Sequence, residues 1–267
     1  MTSVTARLAA WFCVAFASFS LHANWARADP RPNILLILAD DMGYSDVSPY
    51  GSEIFTPNIA RQSNQGMVLT NFHVAAYCAP TRSMLMTGMD NHVVGLGNMI
   101  ELAADNQFGK PGYEGHLNGR AVTLATILRD AGYHTYMAGK WHLGKTPGSL
   151  PTAQGFEDSV GVLEGGADNW EAKSYSPGYS AVHFFDGRKD LQLPPDFYSS
   201  RFYADRMIHY IDSGAPDGKP FFGYLAFQAV HQPHQAPAEF TARYVSTYQA
   251  AGLPYRCSAI SAWLSWV

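Results

Sequence analysis

The feature that most limits the possible folds is the run Asn33 to Ala39 (Asn-Ile-Leu-Leu-Ile-Leu-Ala), which breaks off at Asp40-Asp41. It is of strand length and apolar on both faces, which predicts a central strand covered by helices on each side. Charged residues at the carboxyl end of such a strand lie where ligands bind in open α/β sheets. A second run, Phe221 to Phe227, predicts another buried strand, with His231 beyond its end. Between them, Thr56-Pro57 starts a helix reaching Gln65 and stopping at Gly66, and Met67 to Val74 reads as a further strand. Thr123 to Ala131 places Leu124, Ile127, Leu128 and Ala131 on one helix face, and Tyr133 to Gly139 is the next strand. Ala204, Met207, Ile208 and Ile211 mark another helix, closed by Gly214. The glycine-rich stretch Gly95 to Gly119 reads as loops over a cleft, and residues 145–197 as an insertion shaping a pocket. Strands alternating with helices imply a layered α/β fold with a largely parallel sheet.

Residues 1–28 stand apart. Arg7 precedes the apolar run Leu8 to Leu21, and Ala26-Arg27-Ala28 resembles a small-x-small cleavage site, so this stretch reads as a secretory signal peptide. Its removal would take away two arginines and no acid, moving the net charge from −4 to −6. That balance excludes a basic surface of the kind nucleic acids or anionic membranes attract. A periplasmic or secreted location is expected. There, Cys78 and Cys257 could form a disulfide, or Cys78 could carry chemistry.

The local sequence favours chemistry. In Tyr77-Cys78-Ala79-Pro80-Thr81-Arg82 the cysteine stands at a helix start, with Pro80 in the first turn and Gly88 as the stop. A side chain at residue 78 would face the positive end of that helix, with Arg82 one turn away. Such a place holds an anion, and a thiol there would be an activated nucleophile. Asp40 and Asp41 would repel by roughly 4 kcal/mol at about 4 Å, which calls for a cation unless they simply cap a loop. An all-oxygen site favours Ca²⁺ or Mg²⁺ over zinc. Lys140 and His142, two apart, would point to one side of an extended segment. His231 is the candidate general acid, with His234 its neighbour and competitor. His73, His92, His116, His134, His183 and His209 read as packing or surface residues. Trp170 and Tyr175 could line an aryl pocket.

Cys78-x-Pro80-x-Arg82 resembles the signature of the type I sulfatases of the alkaline-phosphatase-like superfamily. Asp40-Asp41, Gly139-Lys140-Trp141-His142-Leu143-Gly144 and His231-Gln232-Pro233 also follow that family's pattern and order. The resemblance runs from about Pro32 to about Tyr248 and is greatest to the bacterial arylsulfatase branch. It implies that Cys78 is oxidised by a maturation enzyme to Cα-formylglycine, whose hydrate attacks the sulfur of a small sulfate ester. One hydroxyl would attack in line and the other would later expel sulfate. Asp40, Asp41 and the residue-78 oxygen would hold Ca²⁺, with Mg²⁺ as the alternative. Arg82 would hold the diol, Lys140 and His231 would bind sulfate oxygens, and His142 would bond the hydroxyl that loses its proton. A phosphonate monoester or phosphodiester hydrolase would share this logic, and a cysteine hydrolase using Cys78 and His231 is a remoter reading.

The pattern departs from the family in one respect. Family members carry an Asp-Asn pair and a further lysine well beyond His231, whereas Asp90-Asn91, Asp105-Asn106 and Asp168-Asn169 all precede it. Residues 29–248 thus read as the N-terminal part of a catalytic domain, and 249–267 as an atypical tail from a truncated or frameshifted end. A chain of this kind would leave the sheet a bare edge, and weak or no activity is expected of it.

Overall fold

The computed structural model describes residues 31–252, residue 177 excepted. The leader expected at 1–28, Cys257 and the tail beyond residue 252 lie outside the described residues. Strands β1 (Ile34–Asp40), β2 (His134–Lys140), β3 (Asp158–Val162), β4 (Phe184–Asp186), β5 (Lys189–Asp190) and β6 (Phe221–Val230) form one sheet in the order β1-β6-β2-β3-β4-β5. The pairs β1–β6, β6–β2 and β2–β3 are parallel, and β3–β4–β5 continue antiparallel. The longer helices are α1 (Pro57–Gln65), α2 (Cys78–Thr87), α3 (Leu124–Asp130) and α4 (Ser199–Gly214), followed by the short α5 (Ala238–Thr241) and α6 (Val245–Ala250).

Alternation along the central strands builds a core on each face of the sheet. Leu225 and Phe227 of β6 join Tyr136 and Ala138 of β2, beneath Tyr203, Met207 and Tyr210 of α4. Phe222, Tyr224 and Ala226 face the other way, with Met137, Trp141 and Phe156, beneath Ala79 and Met86 of α2 and Ala125 of α3. The expected layered α/β fold is present. Two glycines let its backbones close up. A Cβ on Gly139 would run into the Ala226 carbonyl, and one on Gly161 into that of Gly139.

Several local expectations change. The apolar run of β1 is an edge strand among the described residues, not a central one. Ile34, Leu36 and Leu38 pack inward, while Leu35 and Ile37 remain 46% and 40% exposed. Met67 to Val74 joins no ladder and leaves Met67, Leu69, Phe72 and Val74 exposed, since a strand forms only where a neighbour accepts its hydrogen bonds. Residues 145–197 are not merely a pocket insertion. They contribute β3, whose Asp-Ser-Val-Gly-Val sequence is short and interrupted by the glycine that β2 requires. On α4 the buried stripe is Tyr203, Met207 and Tyr210, and Ile208 faces solvent. The aromatic rings, rather than the aliphatic residues, define that face. Ile127 on α3 is likewise exposed. Thr56 precedes α1 as expected, but its hydroxyl accepts from the Ser48 amide and does not cap the helix.

Candidate active site

The carboxyl ends of three adjacent strands, β1, β6 and β2, meet the first turn of α2. Asp40 ends β1, Lys140 ends β2, and His231 directly follows β6. Cys78 opens α2, whose last turn is closed by Gly88 in the left-handed conformation, with its amide on the Met84 carbonyl. The predicted cysteine turn is thus present, with Pro80 in the first turn.

Asp40 is buried, and its two oxygens face different cations. Oδ2 accepts from Lys140 Nζ, and Oδ1 lies 3.3 Å from Arg82 Nη2. Burial opposes ionisation of this carboxyl, but Lys140 and then Arg82 outweigh it and hold the pKa down at about 2. Arg82 is only 1% exposed, donating through Nη1 to the Lys140 carbonyl at 2.9 Å and to the Tyr224 hydroxyl at 3.2 Å. Its Nε is buried without a hydrogen-bond acceptor among the described residues, and Nη2 has only the Asp40 carboxylate. Arg82 thereby ties Asp40 at the end of β1 and the Lys140 carbonyl at the end of β2 to Tyr224 within β6. Tyr224 brings the one polar side chain into the sequence run Phe221–Phe227.

Lys140 and His142 do not share one side of an extended segment. His142 takes a left-handed conformation (φ 55°), so the chain turns after the strand end and sends the imidazole to Cys78 while Lys140 goes to Asp40. His142 Nδ1 is 3.2 Å from Cys78 Sγ, and Nε2 is 3.4 Å from Glu101 Oε2. Burial pushes the Cys78 thiol up, but the His142 hydrogen bond and the charges of Lys140 and His142 bring it below the usual range. Burial alone would lower the His142 pKa, and its bonds to Cys78 and Glu101 raise it instead. Cys78 is a free thiol, with Met99 Sδ also 3.3 Å away. Its histidine partner is His142, not His231.

His231 donates from Nδ1 to the Gln232 carbonyl at 2.6 Å, which leaves Nε2 beside Asp41 Oδ2 (3.5 Å) and the Tyr175 hydroxyl (3.4 Å). The Tyr175 ring meets the His231 ring edge-on, with centroids 5.4 Å apart. Tyr175 therefore borders the site as expected. Trp170 does not, and packs against Tyr198. His234 lines a small cavity together with Asp41 and His231. Beside Cys78 a larger cavity of about 530 Å³ runs past Asp40, Asp41 and Arg82 to apolar walls at Ile37, Leu69, Phe72 and Val74.

A profile of the family described as Sulfatase matches residues 32–256. This chain belongs to the sulfatase family. An uncharacterized sulfatase of Schizosaccharomyces pombe is 44% identical over 82% of the chain and 41% of its own length. The arylsulfatase of Klebsiella aerogenes is 42% identical over 84% of the chain and 48% of its own. The crystal structure of Ps i-CgsB superposes with a TM-score of 0.72 at 28% identity, covering 88% of this chain and 53% of that one. The chain thus spans about half the length of these relatives.

The sulfatase resemblance carries a divalent cation, and the residues present can be tested for one. Asp41 is 63% exposed and open, but both Asp40 oxygens already face cations. Calcium takes six to eight oxygens. Among the described residues no three His, Cys, Asp or Glu side chains converge as a metal-binding group. These residues alone do not fit a complete cation site. Asp168-Asn169 does not repair it: Asp168 accepts from Gln235 and from the Trp170 and Glu171 amides, and Asn169 bonds Ser199 and Pro233. That pair staples its loop to the chain after β6.

Proposed function

We propose that this chain carries the nucleophile and the cationic half of a site that hydrolyses sulfate esters, aryl or alkyl. One observation carries the reading. Lys140, His142 and His231 converge around Cys78 and the two aspartates, beside a buried Arg82 whose Nε has no acceptor among the described residues. An unpaired donor on a buried guanidinium is costly, and a tetrahedral oxyanion would satisfy it.

Oxidised by a maturation enzyme to Cα-formylglycine and hydrated, residue 78 would supply the hydroxyl that attacks sulfur. His142 Nδ1 stands where that hydroxyl would lose its proton. Lys140 spends one N–H on Asp40 and keeps two for sulfate oxygens. His231, once protonated at Nε2, would give the departing alcohol or phenol its proton. Across the cycle, ester and water become alcohol and hydrogen sulfate. Asp40, Asp41 and the residue-78 oxygen are the proposed part of a Ca²⁺ site, with Mg²⁺ as the alternative. The signal-like pattern of residues 1–28, Arg7 before the apolar run Leu8 to Leu21 and then Ala26-Arg27-Ala28, supports a periplasmic or secreted location for the enzyme.

Mass spectrometry of the tryptic peptide Gln62–Arg82, from protein made in a host with the maturation enzyme, tests the nucleophile. An aldehyde is expected at residue 78, and an intact thiol there, or turnover of aryl phosphonate in preference to aryl sulfate, would refute the reading.

A further inference from the structure

His142 lies between two groups of opposite character. Nδ1 faces residue 78 at 3.2 Å, and Nε2 faces the Glu101 carboxylate at 3.4 Å. A neutral imidazole has one N–H and one lone pair, so the partner of either nitrogen decides the state of the other. An ionised carboxylate can only accept, which puts the N–H of a neutral ring on Nε2; opposite a hydroxyl at residue 78, which can donate as a thiolate cannot, the Nδ1 lone pair then accepts. The ring has little freedom to escape. It is buried, and a Cβ on Gly165 would come within 2.7 Å of its Cε1. Glu101 is itself held, in a short turn at Ile100–Leu102, with its side chain 14% exposed and Gly178 close behind its Cβ. No motif marks this residue, because it comes from the irregular stretch Gly95 to Gly119.

We propose that Glu101 is a positioning residue: its carboxylate fixes the Nε2–H tautomer of His142 and so aims an unprotonated Nδ1 at residue 78. This rests on the sulfate-ester reading only for the identity of the hydroxyl whose proton Nδ1 receives. The tautomer itself does not depend on it.

The test is nitrogen NMR of the ¹⁵N-histidine-labelled full chain carrying Cys78→Ser, whose hydroxyl replaces the thiol without maturation. Spectra are taken at alkaline pH, where the ring is neutral, and His142 is assigned by its loss in His142→Gln. Protonated Nε2 and bare Nδ1 are expected. Glu101→Gln, whose amide oxygen still accepts, keeps that pattern, and Glu101→Leu loses it. In matured protein otherwise wild type, Glu101→Leu lowers kcat on an aryl sulfate about 10–100-fold, with KM little changed and Glu101→Gln largely restored. A protonated Nδ1 in Cys78→Ser alone overturns the proposal, without needing any Glu101 variant to fold. So does an unchanged tautomer in Glu101→Leu. If the tautomers behave as expected and no sulfate ester is turned over, the functional reading falls and the positioning role stands.

Discussion

Replacing Asp40 by asparagine separates charge from shape at the centre of the site. The substitution keeps the volume but leaves Lys140 and Arg82, 0% and 1% exposed, without their shared anion. The magnitude follows from the carboxyl itself. Its pKa falls from the usual 3.8 to about 2, which at about 1.4 kcal/mol per pH unit amounts to about 2–3 kcal/mol. Removing one member of a buried ion pair costs about 3–5 kcal/mol in general, so 2–3 is a lower bound. Because the folded carboxyl is depressed below its unfolded value, this stabilisation is whole above pH 3.8 and drains away as pH falls towards 2. Urea unfolding of wild type and Asp40→Asn, both with chelator present to keep metal out, measures the gap at pH 7 and at several lower values. The gap should be at least about 2 kcal/mol at pH 7 and should close as the wild-type carboxyl protonates. Adding Lys140→Met to Asp40→Asn should recover part of the loss, since it removes one orphaned cation. Equal stability of the two proteins at pH 7, or a gap indifferent to acid, would refute the view of Asp40 as the anchor of two buried cations.

Two further outcomes are expected. Gly139→Ala should cost about 3 kcal/mol or more in unfolding experiments, because it combines a left-handed backbone (φ 121°) with a Cβ driven into the Ala226 carbonyl. In chain not matured to formylglycine, Cys78 should react with iodoacetamide at pH 7 faster than an ordinary thiol, and His142→Gln should slow it about tenfold for each pH unit by which the thiol pKa rises.

What could be read from the sequence divides along a physical line. Asp40, Lys140 and His231 were legible because each follows an apolar strand, and strand ends in a parallel sheet share one side. Cys78 and Gly88 were legible because helix starts and stops carry local chemistry that owes little to the rest of the fold. The features missed depend on distant contacts. Glu101 reaches His142 from a loop without periodicity, and the partners of Arg82, which are Asp40, Tyr224 and the Lys140 carbonyl, come from three strands far apart in the chain. The orientation of His142 follows from a single left-handed residue, which a strand-like sequence gives no reason to expect. β3 was hidden because its glycine serves β2, not its own strand propensity.

The position of β1 joins the fold to the chemistry. Asp40 and Asp41 sit at the end of the one strand of the site that has a neighbour on a single side among the described residues, while Lys140 and His231 end strands paired on both. The cationic side of the cleft is therefore held by the sheet interior, and the anionic side by its margin. Arg82 bridges the two, with one nitrogen on the β2 carbonyl and another facing Asp40. This arrangement makes the aspartates the members of the site whose geometry depends most on the Arg82 and Lys140 ion pairs. A substitution that weakens those pairs should thus displace Asp40 and Asp41 before it disturbs His142 against Cys78, whose ring is confined by Gly165 and Glu101.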